Sequence, residues 1–219
     1  MIVPTLALAF GVVCMTAAQA QERSGRRISR SSLLGLLGLE QVQKEMKLTA
    51  EQTTRVQETV KQLSAEMREQ FSTLRSIEDR DQQRAKMAEL LDQSDQKVRV
   101  QLGDVVEPQQ LTRLYQIRLQ VRAVADSLAN KYVSDRLKIT DDQKKKLDEL
   151  NKSAQAEQFA LFASFRGASE EQRSTAFQKL RDIRSKADTA ALAELTAEQK
   201  TAFEDMKGEK IELQSQRGR

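Results

Sequence analysis

The chain has 219 residues, with 36 Lys plus Arg against 32 Asp plus Glu, no histidine, no tryptophan and one cysteine. These figures exclude an internal disulfide and every catalytic or metal-binding scheme built on imidazole. The two signs are interspersed, so the net charge of +4 describes a solvated helix surface and not the concentrated basic stripe of a nucleic-acid binder.

Residues 2–14 (IVPTLALAFGVVC) carry no charge and lead into TAAQA, with Ala18 and Ala20 in the small-residue cleavage positions. This predicts a secretory signal peptide over 1–20, cleaved after Ala20, although its start lacks the usual Lys or Arg. The apolar run is shorter than the roughly 20 residues a spanning helix needs. Val13 precedes Cys14 where a lipoprotein signal requires a small residue, so lipidation is not expected. The mature protein is expected to be periplasmic or otherwise exported, without a disulfide or an integral membrane segment. Residues 21–31 contain RSGRRISR and read as a basic disordered arm, either a solubilising leader or a weak contact with anionic surfaces.

From Ser32 onward the periodicity is helical. SSLLGLLGLEQVQKEM offers a Ser cap and an apolar stripe, weakened by Gly35 and Gly38. Val56, Val60, Leu63, Met67, Leu74 and Ile77 recur at three- and four-residue steps, the coiled-coil-like seam of a helix packed on another helix. After the polar link at 78–81 comes a third stretch with Met87, Leu91, Val98, Leu102 and Val105. Pro108 suits the first turn of a helix, and the pattern predicts that this helix runs on through Leu111, Leu114, Ile117, Val121, Val124 and Leu128 towards Leu137. Helices at about 140–165, 169–193 and 196–213 follow. No segment alternates with period two. The expected class is all-α, built of long antiparallel helices in extended hairpins or a bundle.

LTAEQ occurs at 48–52 and 195–199, ITDDQ stands at 139–143, and VEPQQ at 106–110 is a degenerate copy. Thr-x-x-Gln is a capping box, in which the hydroxyl accepts from the N3 amide and the Gln side chain reaches back to the N-cap amide. Thr49 with Gln52, Thr140 with Gln143, Thr196 with Gln199, and Ser169 with Gln172 are the predicted structural caps. Pairing 48–76 with 139–167 and 79–118 with 168–207 gives fourteen identities over 69 positions, about a fifth, and Val42/Val133 and Lys47/Lys138 extend the match upstream. The reading is two tandem helical units, 32–122 and 123–213, followed by a disordered tail at 214–219.

Two L-T-x-x-Q motifs about sixty residues apart in an exported, helical, histidine-free chain resemble the Spy/CpxP family, whose members are periplasmic and carry that motif. The resemblance implies an ATP-independent chaperone whose helical hairpins pair into a cradle-shaped dimer, or a CpxP-like partner of the periplasmic domain of an envelope-stress sensor kinase. Family members carry one unit. A tandem form is therefore expected as a monomer with pseudo-dimeric repeats or as a homodimer.

For catalysis the residues offer no histidine, no mature cysteine, no glycine-rich phosphate loop and no nucleophile elbow, so no enzyme activity, cofactor or metal site is expected. The one suggestive stretch is EQFALFASFR at 157–166. Phe159, Leu161, Phe162 and Phe165, beside Arg166 and Lys152, form either a wide buried face or an apolar patch that holds unfolded or partly folded envelope proteins. A structural envelope helix protein is a further reading.

Overall fold

The computed structural model describes residues 31–163 and 169–213, without the side chains of 75, 80, 81, 84, 88 and 163. The predicted signal peptide, nearly all of the basic arm, the tail, Phe165 and Arg166 lie outside the described residues. Among those described there are ten α-helices and no strand. The all-α expectation holds. No described helix is long and apolar enough to cross a membrane.

The helices are α1 (Leu33–Leu37), α2 (Glu40–Glu45), α3 (Ala50–Thr73), α4 (Arg80–Gly103), α5 (Pro108–Val121), α6 (Val124–Leu128), α7 (Lys131–Leu137), α8 (Asp141–Ala163), α9 (Glu170–Ala193) and α10 (Ala197–Lys207), with a 3-10 turn at Leu74–Ser76. Ser32 caps α1, its Oγ accepting from the Gly35 amide at 3.0 Å. Four leucines of this one short helix are buried, which leaves it no solvent face. It packs against α3, α4 and α5 as the centre of the first core. Where one helix was expected from Ser32 to Met46, the chain breaks at Gly38, and the Gln43 side chain closes the break by donating to the Leu37 carbonyl at 2.7 Å.

The contacts between α3 and α4 fall in reverse order along the chain. The Gln52 side chain donates to the Val105 carbonyl (3.1 Å), Lys97 meets Glu66 (2.7 Å), and Gln83 donates to the Leu74 carbonyl (2.8 Å). Val56, Leu63, Met67, Val98 and Leu102 fill the space between the helices and α1.

The long helix expected from Pro108 towards Leu137 is instead three. Arg122 adopts extended backbone (φ −81°, ψ 152°). The Asp188 carboxylate of α9 accepts from the Val124 amide at 2.6 Å, capping α6 from outside. Asn130 then starts α7, its Oδ1 accepting from the Tyr132 and Val133 amides at 3.1 and 3.4 Å. Apolar periodicity continued through these positions, but satisfied caps interrupt the helix at each of them.

A second core gathers Ala125, Leu128, Val133, Leu137, Ile139, Leu147, Ala191, Leu195 and Phe203. Here α6 packs on α8 and α9 as α1 does on α3 and α4, and α7 meets α10 as α2 meets α5. Burial follows the same correspondence: Leu34, Leu36 and Leu37 match Ala125, Ser127 and Leu128, and Val56, Val106 and Leu114 match Leu147, Leu195 and Phe203, all buried. Lys47 and Lys138 share a left-handed φ of 54°. Each closes a Schellman turn in which the next amide, of Leu48 or Ile139, bonds a carbonyl five residues back, that of Gln43 or Ser134.

The last helix was expected to reach 213 and stops at Lys207. Gly208 takes φ 61°, ψ −157°, a region open essentially to glycine alone. The following segment turns back over α5. Arg113 donates to the Glu209 carbonyl (2.7 Å), Gln120 donates to the carbonyls of Lys207 and Glu209 (2.7 and 2.8 Å), and the Ile211 amide donates to Gln120 (2.9 Å). Ile211 and Leu213 pack on the first core.

Candidate functional site

Each motif box closes. Thr49, Thr140 and Thr196 accept from the amides of Gln52, Gln143 and Gln199 at 3.2 Å, and each glutamine Oε1 accepts from the threonine amide at 3.0 Å. Ser169 and Gln172 do the same at 3.3 and 2.8 Å. At the degenerate copy, Gln110 accepts from the Glu107 amide at 2.8 Å.

The glutamines then pair across helices. Gln52 and Gln110 each donate Nε2 to the other's Oε1 at 3.0 Å. Gln52 also donates to the Val105 carbonyl and Gln110 to the Lys47 carbonyl, both at 3.1 Å. In the second half Gln143 and Gln199 exchange bonds of 2.8 and 3.2 Å, while Gln143 donates to the Glu194 carbonyl at 2.7 Å and Gln199 to the Leu137 carbonyl at 3.2 Å. Each amide therefore caps its own helix, joins its partner and binds a carbonyl at or just past the end of the helix that precedes its partner's. Glutamate could not do this, because a carboxylate has no proton to donate. Among the described residues Gln172 has no such partner glutamine.

Acidic groups around the boxes follow the helix dipole. The Glu198 carboxyl is held below the usual range by its own backbone amide and then by Thr196. Lys144 does the same for Asp141 by hydrogen bond and charge. Both groups are fully exposed. Among the described residues no cluster of three or more His, Cys, Asp or Glu could hold a metal ion.

No family model matches the chain, and neither a curated protein nor a solved structure does.

The apolar stretch lies at the far end of the α8–α9 hairpin. Phe159 is 49% exposed and Phe162 51%, with Leu161 half-buried between them. Phe177, in the second turn of α9, is 53% exposed. Among the described residues of the same hairpin, Leu147 and Ala191 are buried towards the second core, and Ala154 and Ala176 are the buried residues nearer its far end. Large aromatic rings thus stand outside while alanines fill the inside, the reverse of ordinary core packing. In the first half Phe71, at the position corresponding to Phe162, is partly buried against the core, and Met67, Leu74 and Leu90 are buried along its hairpin. Lys152 pairs with Asp148 at 2.6 Å. Phe177 was missed because Ala176 beside it continues the same periodicity. Its one signal was being the single aromatic residue of α9.

Proposed function

We propose that the protein is an exported, ATP-independent chaperone-like protein that holds apolar segments of unfolded envelope proteins at the distal end of the α8–α9 hairpin. The observation that carries this is the half-exposure of Phe159, Phe162 and Phe177 on a hairpin that buries only Ala154 and Ala176 towards its far end among the described residues. Such a surface offers weak hydrophobic contact, and the charged residues that crowd the rest of the chain keep bound segments soluble. Holding of this kind needs no nucleotide and no catalytic group.

The tandem reading of the fold belongs to the same proposal. It is supported by the repeated helix neighbours, the matching buried positions, the two left-handed lysines and the two glutamine pairs. The motif spacing supports the resemblance to the Spy/CpxP family.

The test is the protein lacking residues 1–20, mixed with chemically denatured citrate synthase without nucleotide. Suppressed light scattering is expected, and Phe159→Ser/Phe162→Ser/Phe177→Ser should lose most of it while keeping its helical circular dichroism. No suppression at several-fold molar excess would sink the reading. Recovery of one stoichiometric envelope partner, with no effect on aggregation, would replace it by the regulatory one.

A further inference from the structure

Where α5 faces α7 and α10, the walls of a cleft of about 490 Å³ include both tyrosines of the chain, Tyr115 and Tyr132. They also include Arg99, Arg118, Arg122 and Arg136, against one carboxylate, Asp205. Leu111, Leu119 and Met206 supply apolar surface. The volume falls within the range of small-molecule sites.

The charges do not balance within the protein. Arg118 is paired with the buried Asp95. Arg99 donates to the Tyr115 hydroxyl at 2.9 Å and stands 5.4 Å from its ring, contacts that leave its charge in place. Among the described residues Arg122 and Arg136 have no carboxylate within ion-pair distance. Burial and then the like charge of Arg118 push the Arg122 guanidinium below its ordinary value, against the pull of Asp126, Asp95 and Asp92. An arginine so placed is still protonated at neutral pH. The Arg118 Nε–H and the Oδ1 of its ion-pair partner Asp95, both buried, have no hydrogen-bond partner among the described residues, and leaving such groups unpaired is costly. An anion with two or more oxygens would relieve the Arg118–Arg122 repulsion and match the guanidinium fork.

We propose that this cleft binds a small amphipathic organic anion, its carboxylate or phosphate head held by Arg122 and Arg136 and its apolar body lying along Leu111, Leu119 and Met206. The site stands on the cleft alone, whatever the α8–α9 hairpin does.

The chain has no tryptophan and its two tyrosines both line the cleft, so intrinsic tyrosine fluorescence reports on this place directly. The purified protein is titrated with decanoate and decyl phosphate below their micelle concentrations, with decanol and inorganic phosphate as half-ligands, and with phosphatidylglycerol vesicles. Saturable binding of either amphiphile, with decanol and phosphate at least tenfold weaker, is expected; decanoate and decyl phosphate together separate a carboxylate from a phosphate preference. Arg122→Gln and Arg136→Gln should each weaken binding tenfold or more, and Asp205→Asn should tighten it about twofold. Arg136 is exposed, so its variant serves even if Arg122→Gln loses helical circular dichroism. Equal binding of decanol or of bare phosphate, binding to vesicles alone, or unchanged affinity in Arg136→Gln would each overturn the proposal.

Discussion

Gln52 and Gln110, 58 residues apart in the chain, exchange two side-chain hydrogen bonds of 3.0 Å while each also accepts from the amide that opens its own helix. Gln143 and Gln199 repeat the arrangement over 56 residues. The helix starts of each half are thereby fastened to one another, through amides that are partly withdrawn from water. Hydrogen bonds in such positions contribute more by being costly to leave unmade than by their net strength.

Substituting glutamate separates the cap from the pair. In Gln143→Glu the reach-back acceptor survives, but the donor to Gln199 and to the Glu194 carbonyl is gone and a carboxylate faces both oxygens. A loss of about 1–3 kcal/mol is expected from the urea midpoint. Gln172→Glu removes no bond to a partner among the described residues and puts a negative charge in a first turn, so a change within about 0.5 kcal/mol is expected. Equal losses at the two sites would show that pairing contributes nothing.

Helix type and the caps were legible in the sequence because both are local: a capping box is written within four residues, and an apolar stripe within a few turns. The pairing of Gln52 with Gln110 was not, because it depends on where two boxes meet in space. A hint lay in the recurrence of Gln, never Glu, at N3. The breaks before Val124 and at Gly208 were missed for a related reason. Asp188, which caps Val124, stands 64 residues away, and the turn at Gly208 is met by Gln116 and Gln120 of α5. At the hairpin, Phe159 and Phe162 were visible as unusual, but which side of the helix they occupy depends on Ala154 and Ala176 lying inside.

Lys47 and Lys138 hold a left-handed conformation that costs a residue with a Cβ roughly 1–2 kcal/mol. Glycine adopts it freely. Lys47→Gly and Lys138→Gly are each expected to raise stability by about 1 kcal/mol, nearly additively because the two turns share no partner. Chemical denaturation of the single and double variants measures this. A destabilised Lys138→Gly would mean that the lysine side chain contributes more than its backbone costs.

At Gly208 a Cβ would approach the Gln116 side chain to 2.4 Å, and φ is 61°. Gln116 can swing away, but the backbone cannot relax without displacing the segment that follows. Gly208→Ala is expected to cost about 1–2 kcal/mol and to speed hydrogen exchange at the Ile211 amide, which donates to Gln120. Gln120→Ala should give the same faster exchange without backbone strain. If neither variant alters exchange over 209–213, the returning segment is not held by these bonds.

The pH profile follows from four carboxyls and the missing histidine. Glu40 is held below its ordinary range by the hydrogen bond and charge of Lys44, Glu66 by the bonds of Lys97 and Gln62, Asp141 by Lys144, and Glu198 by its own backbone amide and Thr196. A carboxyl depressed in the folded state stabilises it fully above the unfolded value, near pH 4, and that contribution disappears as pH falls through the folded value. Lys146 is raised by its bond to Glu194; its contribution is complete below about pH 10 and is lost above, as pH rises through the folded value. All five groups are fully exposed, so each contribution is small and screened by salt. Between about pH 5.5 and 8 a chain without histidine has no side chain whose ordinary pKa falls in the range. The urea midpoint should therefore be flat from about pH 5.5 to 8, fall below about pH 4, and lose the acid-side slope partly in 1 M salt. A step near pH 6.5 would require a strongly displaced carboxyl inside the fold and would overturn this profile.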